Sequence, residues 1–251
     1  MSLPRLSAAL ACALALAGAC VTPARAGPAT TDVDISRITL KLPGEGWTVS
    51  GKLPYGVPVD TGRTVDGERR LVTQGQPGTR DSIVMLVSAT RGAGGTTMRA
   101  DCDPEDDRYV RKFNRGQSTT IPLQCLRVFG PSRFPELDKI GGALGEAMTA
   151  QHVNPPGGGY FAIVQVSNEN GAIVQIQALI GNDFTGLEGR PPVARVPEGM
   201  RGPVAAWADV LAENALGTLS SLFARLEVPP VAFTHPAVAA ASAASAAATK
   251  D

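Results

Sequence analysis

Asp101, Asp103, Glu105, Asp106 and Asp107 form the densest acidic cluster in the chain. Carboxylates at alternate positions can do two kinds of chemistry. They can bind a hard cation through oxygen, or work in pairs as acid and base on a glycosidic or related bond. The cation reading begins well, because Asp-x-Asp-x-Glu matches the opening of a calcium loop. It then departs from the pattern: the sixth position is Asp106 where a sharp turn needs glycine, and the twelfth is Lys112 where a bidentate glutamate belongs. A hydrolase built on carboxylates would combine the cluster with Asp60 or Glu68 and would need no histidine. The plain alternative is a solvated charged loop.

Directly after the acids, Tyr109, Arg111, Phe113 and Arg115 alternate with Arg108, Val110, Lys112 and Asn114. In an extended segment one edge would present Tyr, Arg, Phe and Arg together, residue types favoured at the centres of protein contacts. These four are the candidate partner-binding residues. Pairing of the basic half with the acidic half would be the structural alternative, since exposed ion pairs form readily and contribute little.

Other catalytic constellations have little to draw on. The histidines are His152 and His235, too few for a His-rich metal centre and poorly placed for a Ser-His-Asp triad. No nucleophile elbow, phosphate-binding loop or His-Glu-x-x-His run occurs. The Pro155 to Gly159 stretch is glycine-rich but leads into a strand, without the helix N-terminus that would hold a phosphate. The expectation is therefore no catalytic residue, no cofactor and no metal.

The first residues read as an export signal. Arg5 supplies the positive start, Leu6 to Ala19 is apolar, and Ala24-Arg25-Ala26 offers a small-x-small cleavage site. The apolar run is too short to span a bilayer. Ala17-Gly18-Ala19-Cys20 offers a second route, lipidation at Cys20 as an envelope lipoprotein. By either route the expected location is the periplasm, or outside the cell. Removing residues 1–26 takes away Arg5 and Arg25 and no acid, which leaves the mature chain two charges negative. Nothing in that balance seeks nucleic acid or anionic lipid. Cys12 lies in the signal and Cys20 is removed or lipidated, so Cys102 and Cys125 are left as a pair in an oxidising compartment, where the expectation is a disulfide.

The elements that must position these residues can be read from periodicity. Tyr160 to Ile180 is two β-rich runs around an Asn/Gly turn. Ala162, Val164 and Val166 share one face, and Val174, Ile176 and Ala178 must meet them. That sets Val166 opposite Val174, a three-residue loop Glu169-Asn170-Gly171, and Gly171 at the left-handed position. The reverse face pairs Phe161 with Leu179, Ile163 with Gln177 and Gln165 with Gln175. Its glutamines suit a polar ligand, although sheet surfaces beside a helix have the same composition.

Ile35 to Leu42 alternates as a half-buried strand, Trp47 and Val49 share a side, and the unbroken apolar middle of Ser82 to Thr90 predicts a strand covered on both faces. Residues 51–69 read as a long surface loop. Ser118 to Val128 is β-rich, with Pro122 confining its first half to an edge. Spacings of three and four predict a weak, glycine-containing helix over 135–150. A stronger one over 203–226 carries Val204, Trp207, Leu211, Ala215, Leu219, Leu222 and Leu226. The order predicts an α+β fold: a mainly antiparallel sheet of about six to seven strands around the 160–180 hairpin, with the long C-terminal helix packed on it. This element order is similar to that of the PsbP-like α/β/α sandwich, whose chain also ends in a helix laid on an antiparallel sheet.

The organisation expected is a signal over 1–26, a polar lead-in over 27–34, one domain over 35–230, and an Ala/Ser-rich tail over 231–251 that is too uniform to pack. The function expected is that of an exported envelope protein, non-enzymatic, binding another envelope protein or component through charged surface loops. The alternatives are the carboxylate hydrolase, and a small-molecule carrier with a cavity under the C-terminal helix.

Overall fold

The computed structural model describes residues 30–58, 64–90, 109–112, 124–132, 134, 142–168, 171–182, 203–221 and 224–231. In chain order the elements are β1 (Thr30–Ile35), β2 (Ile38–Pro43), β3 (Trp47–Val49), β4 (Leu53–Pro58), β5 (Thr64–Gln74), β6 (Ile83–Thr90), β7 (Tyr109–Lys112) and β8 (Gln124–Ser132). They continue with α1 (Gly142–Ala150), β9 (Gly159–Ser167), β10 (Ile173–Gly181), α2 (Pro203–Ser220) and β11 (Arg225–Glu227).

An eight-stranded sheet runs β3-β5-β6-β10-β9-β8-β7, with β4 also paired to β5, and every pairing in it is antiparallel. The β9–β10 hairpin sits near its centre in the expected register, Val166 opposite Val174 and Gln165 opposite Gln175. Gly171 has φ +72°, the left-handed conformation that the three-residue loop needs. β6 is buried along its whole length, as its apolar run requires.

One face of this sheet carries the main core. Val72, Met85, Val87, Val164, Val174 and Ile176 pack there against Trp207, Leu211, Ala215 and Leu219 of α2. Beside α2 lies a three-stranded sheet in the order β1-β2-β11, which adds Ile35, Leu40, Leu42 and Leu226 to the same core. The Trp207 indole donates to Pro229 O at 2.7 Å, so the helix and the chain beyond it are locked together. The opposite face carries α1, whose Leu144, Ala147 and Met148 pack on Leu71, Val84, Leu86 and Leu179.

The fold is α+β with a C-terminal helix on an antiparallel sheet, and several expected boundaries move. The main sheet runs through seven strands in one path, with β4 added beside β5 off that path. Residues 30–34, read as the end of a polar lead-in, belong to β1 (Thr30–Ile35). The run Ile35 to Leu42 is broken by a turn at Ser36, whose φ is +55°. Residues 51–69 are not a long loop: β4 and β5 pair from Leu53↔Arg69 to Pro58↔Thr64, so the charges there alternate across a sheet. Of the helix expected over 135–150, α1 covers Gly142–Ala150, with Gly142 at φ +72°, and residues 135–141 lie outside the described residues.

The C-terminal helix stops at Ser220. Ala224 turns left-handed at φ +43°, and Leu226 is buried in β11, parallel to β2 and opposite Leu40. Periodicity placed Leu226 on the helix because a single buried residue fits either element; the long-range pairing with β2 decides it. Val231 packs partly against the core, and the remaining tail lies outside the described residues.

Candidate functional site

The α1 face of the large sheet is divided. Directly opposed residues point to one side, so the pairings define rows across the strands. One row runs Thr73, Val84, Leu179, Phe161 and Phe129; it is mainly apolar and lies towards α1. The next runs Leu71, Leu86, Gln177, Ile163 and Arg127. The third runs Leu53, Arg69, Ser88, Gln175, Gln165 and Cys125. Away from α1 the face therefore turns polar at the middle of the sheet. On the other side of those same strands, Val87, Ile176 and Val164 are at 0–1% exposure in the core.

Small residues let distant strands meet across this face. Tyr55 on β4 faces Gly67 on β5, and a Cβ added to Gly67 would lie 3.0 Å from Tyr55 Cδ1, so the ring lies over the bare backbone. From there the Tyr55 hydroxyl reaches past Ser88 and donates to Gln175 Oε1 at 3.3 Å. Burial raises the Tyr55 pKa above its ordinary 10.0, opposed by the positive charge of Arg69, so the phenol is held in its neutral, donating form.

Two buried polar atoms on this face have no hydrogen-bond partner: Arg69 Nε and Gln177 Oε1. Arg69 faces Glu146 of α1 at 3.8 Å, beyond ordinary hydrogen-bond length, and the Glu146 side chain is 72% exposed. That contact screens the guanidinium weakly. Among the described residues, the charges that β5 and β8 place on this side are Arg69 and Arg127, both cationic. Phe129 and Phe161, ring centroids 5.6 Å apart and stacked, form an aromatic ledge beside Arg127.

Few of the residues expected to act are among the described ones. Glu68 points to the opposite side of β5 from Arg69 and is held by Lys52 at 3.1 Å and Arg70 at 3.2 Å, an acid satisfied by two cations. Asp60 and the cluster 101–107 lie outside the described residues, as do Phe113 and Arg115. Tyr109 and Arg111 lie on β7, the last strand of the sheet, opposite Val128 and Leu126. Cys125 is 1% exposed on β8, while Cys102 lies outside the described residues. Beneath α2 the space is occupied by Val164, Trp207, Leu211 and Ala215, where a carrier would need a cavity.

Among the described residues no group of three or more His, Cys, Asp or Glu is placed to hold a metal. No described helix is long and apolar enough to cross a membrane. Comparison with known protein families, with curated proteins and with solved structures gives no match.

The three glutamines of the face follow from the hairpin register alone. Tyr55, Arg69, Ser88 and Arg127 were not visible in the sequence as members of the site. Reading 51–69 as a loop hid the β4–β5 pairing that carries Tyr55 and Arg69 to the same face.

Proposed function

We propose that this chain is an exported, non-enzymatic binding protein of the cell envelope, and that it binds an envelope component through the polar half of the α1 face. The observation that carries the reading is position. Ser88, Gln175 and Gln177 occupy β6 and β10 in the middle of the sheet, where the residues that point the other way, Val87, Ala89, Val174 and Ile176, are at 0–1% exposure, and Arg69 stands beside them on β5. Polar groups in such places cost desolvation free energy unless something satisfies them. The set also suits recognition: amides, a phenol and guanidinium groups offer donors and acceptors in fixed directions. The export signal over residues 1–26 supports the compartment.

The test is retention from envelope extract on immobilised mature protein, comparing wild type with an Arg69→Met/Gln177→Leu double variant of unchanged melting temperature. A component held by the wild type and lost by the variant is expected. Identical retention by both would refute binding at this face. A second reading, a protein partner added at the β7 edge through Tyr109 and Arg111, is favoured by the terminal place of β7 in the sheet order, since edge strands accept further strands. Tyr109→Ala/Arg111→Ala should then lose a protein partner that the first variant keeps, and unchanged partners would sink that reading.

A further inference from the structure

We infer that the polar face selects a hydroxy acid, a small molecule carrying one carboxylate and several hydroxyls, of about the size of a sugar acid. This deepens the binding reading above and rests on it. The inference comes from the two orphaned atoms taken together. Arg69 Nε is a donor without an acceptor, and Gln177 Oε1 is an acceptor without a donor. A ligand that satisfies both must bring an acceptor to the first and an O–H or N–H to the second. A simple anion would leave Gln177 Oε1 unpaired and repelled; a simple alcohol would leave the guanidinium charge uncompensated.

The two side chains stand on one face of the sheet. Arg69 and Gln177 stand two strands and two residues apart, about 12 Å between α-carbons at ~4.8 Å per strand and ~3.4 Å per residue. Arg69 leans towards α1, since its Nη2 is the atom that approaches Glu146. α1 packs on Leu71 and Leu86, the row that holds Gln177. The guanidinium is thus carried into the row of the amide, with Ser88 and Leu86 of β6 between them.

The charge of the site argues for an anion over bound water. Arg69 and Arg127 are both on this face, and the contact with Glu146 is long and solvent-exposed. A planar guanidinium matches a carboxylate in two parallel hydrogen bonds. Gln175 accepts from Tyr55 through its oxygen, which leaves its amide nitrogen to donate to a ligand hydroxyl. The Phe129–Phe161 ledge offers an apolar surface to the carbon skeleton of the same molecule.

Sodium gluconate is the probe, with glucose supplying hydroxyls without the carboxylate and propionate the carboxylate without hydroxyls. Calorimetry and backbone amide shifts are recorded on the mature protein. Gluconate should bind at least about tenfold more tightly than either control, a difference of about 1.4 kcal/mol, with shifts at Arg69, Ser88, Gln175 and Gln177. Arg69→Met and Gln177→Leu should each lose that tenfold while the unliganded protein melts at or above the wild-type temperature, since each removes an unsatisfied buried atom. Gln177→Glu keeps the size of the side chain, sets a carboxylate against the probe and should abolish binding.

Equal binding of glucose at these residues would overturn the acid, and equal binding of propionate would overturn the hydroxyls; the face would remain a binding surface in both cases. Absence of shifts at these residues with all three probes would mean that no hydroxy acid, alcohol or simple carboxylate satisfies Arg69 and Gln177. That result would overturn the inference together with the small-ligand reading of the face. Retention from extract that still depends on Arg69 and Gln177 would then show that the face binds something of another class.

Discussion

The Tyr55 hydroxyl donates to Gln175 Oε1 at 3.3 Å, joining β4 to β10 across the two strands between them and across 120 positions of sequence. The contact depends on Gly67 and Ser88, which leave room above β5 and β6, and it sets the orientation of the amide that faces the proposed ligand. It also ties the outer strand β4 to the centre of the sheet.

Tyr55→Phe should lower stability by about 0.5–1.5 kcal/mol, the usual net value of one hydrogen bond, measured by denaturant unfolding at neutral pH. The same variant tests the linkage. Because the folded state raises the Tyr55 pKa above 10.0, it binds the phenolic proton more tightly than the unfolded chain. The resulting stability is fully present below pH 10 and is lost as pH rises from 10 through the folded value. The stability gap between wild type and Tyr55→Phe should therefore narrow through that alkaline window. A gap that is constant with pH would contradict the burial of this phenol.

Gly67→Ala should disturb both the sheet and the site. The added methyl overlaps the Ala89 carbonyl and meets Tyr55 Cδ1 at 3.0 Å. A lowered melting temperature is expected, with altered environments for Tyr55 and Gln175 by NMR. A neutral substitution would mean that the tyrosine ring does not lie over the glycine.

Gly171→Val should destabilise by at least about 1 kcal/mol, because a β-branched residue is strained in the left-handed region. Gly171 has φ +72° and its N–H donates to Asn168 O at 3.0 Å. An unchanged thermal midpoint would contradict the three-residue loop.

The proposed export carries with it a proposal about the cysteines: Cys102 and Cys125 form a disulfide in the mature protein. Tyr109 is paired with Val128, three positions along β8 from Cys125. The seven residues from Cys102 to Tyr109 span up to about 23 Å when extended, enough for the chain to double back to the buried thiol position. Closure of that loop should contribute roughly 3 kcal/mol in the chain-entropy treatment. Mass spectrometry of the unreduced exported protein should show no alkylatable thiol at either position; finding two would dispose of the bridge.

What the amino-acid sequence determined by itself was local and periodic. The two-residue alternation of 160–180, with glycine at one loop position, specified the hairpin to the residue, because slipping by one would send Val164 and Ile176 to the wrong face. The unbroken apolar run of β6 specified a strand covered on both sides, and the three-four spacing from Val204 to Leu219 specified the buried stripe of α2.

The tertiary structure decided everything that depends on pairing between remote strands. β4 holds two prolines and a glycine and β5 holds four charges and a glycine, so their composition reads as loop; only the pairing of β4 with β5 and of β5 with β6 makes them strands. Leu226 obeyed the helical period yet belongs to β11, because backbone pairing with β2 competes successfully with one more helical turn. The candidate site is of the same kind. Tyr55, Arg69, Gln175 and Gln177 come onto one face through the order β4-β5-β6-β10, and no spacing along the chain encodes that order. Hydrophobic period reports which face of an element is buried, but which element lies beside it is settled by long-range packing and backbone hydrogen bonding.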